Sequence, residues 1–581
     1  MKTRELIFSV CITLLLSGAG LKTSASPFIS AGELVYVHTD RDIYIAGEYV
    51  FFKLYVIEKS THKLSETSSV AYMVLRSRSN IQVAGIRFIV DHGTASGSIF
   101  LPDTLNSGPY QLTAFTNWMR NSGEESFFNE EIFVANRFDK DLSALGMYSD
   151  STGSRYDSAI RNTPGIIPPI IATDKTEYHR RGKISLELMV PENVSGVMAD
   201  LSVSVYEDAL GSDYFLSASD YLSVTSEDTI SVKSPVTYRF LPETKGEIIQ
   251  GRVIDEENLE AVSGACVYLS VKDTIVNLKY DHSAADGSFR FLLNDYYDGK
   301  ELVLSVRDNP ENRKLKIEPE DKFKLNNSFR PVKFHGNQSL KDYVLKSQDI
   351  VSVQKIYHVV SLKKAERKYS SNFICPQLYY KPSYCVYPSD FVPLDDFIEI
   401  SGEILPPQLR IKNLNGKYIV RMADENLQMF MDREPAVFLD GVIIHDINQI
   451  ISLGSDKIER VEMVCAQYIY GELLFPGILA VFSTDDEIKN LQPYPVSLRM
   501  QPEIYHATSV FTAPEYEEES ADNQPDFRQL LYWNPDIRIS SGQTYITEFY
   551  ASDHSANYVI RVEGVSSEGV AVSATAKIMV K

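Results

Sequence analysis

Short apolar runs divided by turn-forming residues constrain this sequence more than any other feature. Between Glu33 and Phe138 they read LVYVHT, YVFFKLYV, VAYMVLR, GIRFIV, GSIFLP and YQLTAFT. In the last of them Tyr110, Leu112 and Ala114 alternate with Gln111, Thr113 and Phe115, which puts one set on each face of a strand. Short strands at this spacing predict a β-sandwich. The 34 Tyr and 28 Phe point the same way, because aromatic side chains suit a pleated surface.

At 581 residues the chain exceeds what one hydrophobic core can serve, so several domains of about 100 residues are expected. A sandwich is assigned to 31–138, and a Ser-, Gly- and Asp-rich linker to 139–165. A second sandwich is assigned to 166–245, where LSVSVYE from Leu201 alternates as a strand. A third takes 246–312, with Gly287 at the turn before the alternating Phe289 and Phe291. Residues 313–425 are unclear, pairing a basic stretch compatible with a helix, SLKKAERKYS, with a Tyr- and Pro-rich loop. A small unit over 426–490, a Pro-rich linker over 491–526 and a β unit over 527–581 complete the division. The last is small enough to need a neighbour to dock on.

Three resemblances refine this reading. HTDRDIYIAGEYVFFKLYV (38–56) and LPDTLNSGPYQLTAFTNWMRN (101–121) resemble the macroglobulin-like domains of bacterial surface proteins. Asp174-Lys175 and Tyr178 echo Asp40-Arg41 and Tyr44, so the second sandwich reads as a macroglobulin- or immunoglobulin-like repeat. EIIQGRVIDEENLEAVSGACVYLSVKDT and DGSFRFLL resemble the carboxypeptidase regulatory-like domain, a spacer in envelope receptors that implies no peptidase.

AVFLDGVIIHD, DKIERVEMV and YGELLFPGILAVFST resemble the plug domain of TonB-dependent outer-membrane receptors. Asp440 and Gly441 are expected to form its hairpin turn, since glycine accepts φ > 0. Its core is expected to hold Phe438, Val442, Val461, Ile478 and Val481. Residues 485–581 are too few for the roughly 22 strands of a receptor barrel, so the plug-like unit is expected to serve protein contact, not transport. The fold class is thus mostly β, with tandem macroglobulin/immunoglobulin-like sandwiches and a small α/β plug-like domain.

The first 25 residues read as a signal peptide, with Lys2 and Arg4 before the apolar Leu6 to Leu16 and small Thr23 and Ala25 before a cut after Ala25. Cys11 lies inside the apolar run, which does not suit a lipoprotein anchor. No later stretch reaches the roughly 20 apolar residues of a membrane helix, so no integral span is expected in the mature chain. A net charge of −21 repels polyanions and argues against nucleic acid. In an oxidising compartment Cys375 and Cys385, ten positions apart in a loop, are the expected disulfide, while Cys266 and Cys465 lie in apolar strands as small hydrophobes.

No catalytic pattern in the sequence carries weight. There is no G-x-S-x-G elbow, and the Ser-x-x-Lys pairs Ser60/Lys63, Ser352/Lys355 and Ser361/Lys364 lack their companion motifs. No His-Glu-x-x-His occurs among the ten histidines, nor close Cys or His pairs for zinc. His38 with Asp40 is the one tempting pair, read as a structural cap at a strand entering a turn. Asp395-Asp396 and Asp485-Asp486 read as solvated loop charge, and Asp286-Gly287 as a turn instead of a calcium loop. The Cys-Gly-Glu-Gln thioester of covalent protease traps is missing. Trp118 and Trp533 follow strands and are candidate contact aromatics.

These readings converge on an exported, non-enzymatic binding or scaffolding protein of a Gram-negative envelope, in the periplasm or at the outer membrane, with no cofactor. An envelope protein is the expected partner, with a TonB-dependent receptor as one candidate. Rival readings are an accessory component of TonB-dependent uptake, a non-covalent macroglobulin-like protease inhibitor with a bait in 139–165, and an enzyme within 313–425.

Overall fold

The apolar runs before Phe138 become eight strands: β1 (Glu33–Thr39), β2 (Ile43–Ile45), β3 (Tyr49–Glu58), β4 (Val70–Ser77), β5 (Gln82–Ile89), β6 (Thr94–Phe100), β7 (Gly108–Phe115) and β8 (Phe128–Ala135). The computed structural model describes residues 32–139, 169–191, 198–209, 216–226, 238–306, 314–327, 338–357, 361–364, 377–484, 497–502, 505–506, 509–516 and 524–581. A three-stranded sheet, β1-β3-β6, packs on a five-stranded one, β2-β8-β7-β4-β5. Strands β1, β3 and β4 are buried almost end to end, which is why their sequences run apolar on both faces instead of alternating.

The chain next forms β9 (Ile170–Thr173), β10 (Glu177–Tyr178), β11 (Lys183–Met189) and β12 (Met198–Glu207), then helix α1 (Ala218–Ser226). A third sandwich follows, from β13 (Glu247–Asp255), β14 (Cys266–Val271), β15 (Leu278–His282), β16 (Ser288–Leu293), β17 (Leu302–Val306) and β18 (Leu315–Pro319). Helix α2 (Gln338–Tyr357) comes after it and lays Leu340, Val344 and Val351 on Ile43, Ile45 and Phe133 of the first sandwich, a helical spacing of apolar residues. Of the basic stretch 361–370, Ser361–Lys364 is strand β19 and the rest lies outside the described residues; helix α2 lies before it.

An α/β unit follows: β20 (Tyr384–Val386), α3 (Phe397–Glu403), β21 (Leu409–Leu414), β22 (Lys417–Asp424), β23 (Met429–Phe430), β24 (Ala436–Leu439), β25 (Val442–Ile444), β26 (Ile458–Val464), β27 (Tyr468–Tyr470), β28 (Leu473–Phe475) and β29 (Ile478–Ser483). Its main sheet runs β20-β26-β29-β24-β25, and Phe397 and Ile400 of α3 share its core. The unit therefore begins well before residue 426. The five expected core residues, Phe438, Val442, Val461, Ile478 and Val481, are all buried.

Strands β30 (Ser497–Met500) and β31 (Ser509–Thr512) lie within the stretch expected to be a linker; β30 extends the β15-β14-β17 sheet and β31 pairs with β19. The chain ends in β32 (Leu530–Ser540), β33 (Thr544–Tyr550), β34 (Ala556–Ser566) and β35 (Ala571–Val580). These last four do not make a unit of their own. They complete the second sandwich, in sheets β10-β35-β34-β12-β32 and β33-β11-β9, around one core that joins Leu186, Leu201 and Val203 to Ile537, Val562 and Ile578. Strand β12 is flanked by β34 on one side and β32 on the other, so neither part could bury its apolar face alone.

The two sandwiches share one plan. Substituting β9, β10, β11, β12, β32, β33, β34 and β35 for β1 to β8 reproduces both sheet orders strand for strand, including the parallel pairs β2 with β8 and β10 with β35. The sequence echo is a structural one. Tyr44 donates to Asp40 Oδ1 at 2.9 Å and the Phe51 amide donates to the same oxygen at 2.7 Å; Tyr178 and the Ser185 amide do the same to Asp174 Oδ1, at 2.6 and 3.0 Å. Residues 208–529 are thus an insertion where the first sandwich has only its β4–β5 hairpin.

Candidate functional site

Hairpin β24–β25 is closed by Asp440 and Gly441, with φ of 48° and 80°, the two positive values of a type I′ turn. Both Asp440 carboxylate oxygens are used: Oδ1 accepts from the Ser483 amide at 2.7 Å and Oδ2 from its hydroxyl at 2.8 Å. The Asp440 carbonyl accepts from the Asp273 amide at 3.0 Å, which ties the turn to the third sandwich. A Cβ on Gly441 would lie 2.7 Å from the carbonyl oxygens of Val271 and Ile275. Glycine is needed here for conformation and for approach alike.

Behind the turn the contact is apolar. Phe438, Ile443 and Phe482 of the α/β unit share a cluster with Tyr268, Val276 and Leu278 of the third sandwich, and the opposite face of the same sheet packs on α3. A sheet covered on both faces needs continuous apolar strands, the AVFL and ILAVF runs visible in the sequence. Polar contacts rim the patch: Tyr470 donates to the Leu278 carbonyl at 2.8 Å, and His445 meets Ser305 at 3.1 Å.

A second contact joins the first two sandwiches, and it is polar at its centre. His38, fully buried, places Nδ1 2.6 Å from Ser202 Oγ and Nε2 3.4 Å from Ser204 Oγ. It does not pair with Asp40, whose carboxylate holds Tyr44 and the turn into β3. Lys53 is ion-paired to Asp200 and donates to the Leu201 carbonyl at 3.2 Å. Tyr55 reaches Ser202 at 2.9 Å, and Arg561 pairs with Glu563 at 3.0 Å, both members of that pair buried. Burial, with Arg561 and Lys53 nearby, holds the His38 imidazole well below its usual range. Burial lowers the Lys53 ammonium, opposed by Asp200, and raises the Glu563 carboxyl, opposed by Arg561. Removing one partner from a buried pair costs about 3–5 kcal/mol, so this network fixes how the two sandwiches sit.

Sequence reading missed this network, though it left a trace: Lys53 in YVFFKLYV and Arg561 in NYVIRVEG interrupt apolar strands, and a charge mid-strand signals a paired, buried partner. Both candidate contact aromatics turn out to be packed. Trp118, 9% exposed, packs near Tyr238, and Trp533, 3% exposed, lies 5.2 Å from the His38 ring. Cys385 is exposed on β20, and its expected partner Cys375 lies outside the described residues, as does the expected signal peptide. Cys266 and Cys465 are buried thiols, the latter pushed up to about 12 by burial. Among the described residues no group of three or more His, Cys, Asp or Glu is placed to hold a metal ion, and no helix is long and apolar enough to cross a membrane.

Two sandwiches of one topology, a third sandwich and an α/β unit define a mostly β chain of tandem sandwiches. No protein-family model and no curated protein matches it. Among solved structures it is similar to Salmonella alpha-2-macroglobulin reacted with methylamine, at 9% identity, covering 94% of this chain and 39% of that one, with a TM-score of 0.24. It is also similar to trypsin-activated alpha-2-macroglobulin from Escherichia coli, at 8% identity, covering 95% and 42%, with a TM-score of 0.24. The chain spans about two fifths of the length of these structures.

Proposed function

We propose that this chain is an exported, non-enzymatic binding or scaffolding protein of a Gram-negative envelope, in which the sandwiches hold a plug-like unit in a fixed pose for a protein partner. One observation carries the reading. The unit's turn and one sheet face are sealed on the third sandwich, while the opposite edge of that sheet, β20, has no strand beyond it among those described. Next to that edge stand Tyr380, 99% exposed, with Tyr387, Phe391 and Val392 also exposed. Large exposed apolar side chains grouped in this way favour a protein contact. The resemblance of the third sandwich to a carboxypeptidase regulatory-like spacer, and of the unit to a receptor plug, agrees with a periplasmic or outer-membrane site of action.

The test is affinity capture from native envelopes with the intact chain and with a Tyr380→Asp, Val392→Asp variant, which leaves the buried contacts untouched. Partners recovered by the intact chain and lost by the variant support the reading. The same partners at undiminished yield make the unit a spacer. A TonB-dependent receptor among the specific partners would favour the accessory-uptake form of the proposal.

A further inference from the structure

Hairpin β21–β22 of the α/β unit has one basic face, and we propose that this face docks on the anionic headgroups of a lipid bilayer. The hairpin is two-sided because side chains alternate along paired strands. Leu409, Val420 and Met422 belong to the unit's core. On the outer side the register sets Arg410 directly opposite Arg421, Lys412 opposite Ile419, and Leu414 opposite Lys417. Successive rows lie about 7 Å apart, so the four cations span about 14 Å of strand.

Two arginines directly opposite each other repel and weaken the strand pair, unless an anion lies over them. The chain supplies none: among the described residues none of the four cations is in an ion pair. Arg410 lies instead over the Phe430 ring of β23, 4.2 Å from its centre. Glu434 stands at the rim, where its Oε1 accepts from the Val420 amide at 3.2 Å. A basic face left unopposed in a chain of net charge −21 points to an anionic partner. Guanidinium groups side by side suit phosphate, which each can hold bidentately.

The shape of the face selects a bilayer. Lys412, Leu414 and Lys417 are exposed around the Asn415-Gly416 turn, and a Cβ added to Gly416 would meet no atom within 4 Å, so the tip stands clear of the body. Leu414, 55% exposed, and the half-buried Ile419 set aliphatic groups between the cations. Cations for the headgroups and aliphatic groups for the boundary beneath them are the combination found on membrane-surface elements. A two-stranded face also spreads its cations in a row, as a planar array of phosphates requires, instead of converging them on one point. The acidic remainder of the chain does not forbid the approach, since exposed charges beyond about 8 Å are largely screened at physiological ionic strength.

The test is co-sedimentation of the intact chain with lipid vesicles at physiological ionic strength. Vesicles of equal parts phosphatidylglycerol and phosphatidylcholine should bind it, and vesicles of phosphatidylcholine alone at least about tenfold more weakly. Each cation near an anionic surface strengthens partitioning about fivefold, so Lys412→Glu combined with Lys417→Glu should lower binding by at least about 25-fold. Lys245→Glu combined with Arg290→Glu, at two exposed cations outside the hairpin, makes the same change in net charge and should alter binding less than about twofold. Melting temperatures near wild type show that both variants are folded, and the comparison of the two lipids needs no variant. Equal binding to the two kinds of vesicle, or equal losses in the two double variants, overturns the proposal. No association with either vesicle also overturns it and leaves the face to an acidic protein segment.

Discussion

The His38 imidazole of the first sandwich stands 2.6 Å from the Ser202 hydroxyl of the second, and burial with two nearby cations opposes a positive charge on it. Lys53 faces it across the β1–β3 pair, Arg561 lies near, and Ser204 and Trp533 close the remaining sides. The native state therefore keeps His38 neutral, while an unfolded chain takes up a proton below about pH 6.5. Because the unfolded state then binds more protons, stability falls as pH falls below that value. Relative to His38→Gln, the wild type should lose stability as pH falls from 6.5 to 5, with a slope that steepens toward at most about 1.4 kcal/mol per pH unit. Urea midpoints of the two proteins at pH 7.5, 6 and 5 give the comparison; parallel trends would mean that His38 is charged in place.

Gly441→Val should destabilise the α/β unit and loosen it from the third sandwich by roughly 1–3 kcal/mol. Two causes act together, a β-branched residue at φ of 80° and a Cβ pressed on the Val271 and Ile275 carbonyls. Gly441→Asn separates them, since asparagine tolerates the left-handed region but still carries the Cβ. If the approach dominates, Asn should cost nearly as much as Val in thermal unfolding. A near-neutral Asn would reduce the position to a conformational requirement.

A protease site placed at the exposed Asn415-Gly416 turn of hairpin β21–β22 should yield two fragments that stay together under native conditions. The N-terminal one keeps β12, the C-terminal one keeps β32 and β34, and these three strands are neighbours. Size-exclusion chromatography after cleavage should show one peak at the intact mass, splitting only in denaturant. Separation without denaturant would mean that the second sandwich is not closed by the C-terminal strands.

Much of this architecture was legible locally. The alternation around Tyr110, the Asp-Gly turn and the apolar strands of the α/β unit predict their own conformations, because each depends on neighbours a few residues away. The two halves of the second sandwich were not legible as one body. Their pairing crosses 208–529, and no periodicity within 166–245 or 527–581 says which distant edge each strand will find. The His38, Lys53 and Arg561 network was hidden for the same reason: it exists only once two sandwiches meet. For Trp118 and Trp533 packing and contact stay open from the sequence, because an aromatic after a strand looks the same whether it faces solvent or a second domain.

The repeated tyrosine offers a last prediction, because the two copies share their hydrogen bonds and differ in burial. Asp40 is fully buried, and desolvation lifts its carboxyl to about 7 despite Arg41, Tyr44 and the Phe51 amide. Asp174 is exposed; desolvation still raises its carboxyl slightly, but the Tyr178 hydroxyl and the Ser185 amide outweigh it and bring the group below its ordinary range. The signs of the pH dependence are therefore opposite. Native Asp40 holds its proton more tightly than the unfolded chain, so its contribution is present below about pH 4 and is lost as pH rises through 7. The contribution of Asp174 is present above about pH 4 and is lost on acidification. Tyr44→Phe leaves a buried carboxyl short of a donor and should cost about 1–3 kcal/mol, whereas after Tyr178→Phe water can replace the hydroxyl and the cost should be about 1 kcal/mol or less. Chemical unfolding of the variants at pH 3, 5 and 8 reads these quantities. Equal costs at the two sites, or pH slopes of the same sign for Asp40→Asn and Asp174→Asn against wild type, would show that burial does not distinguish the two copies.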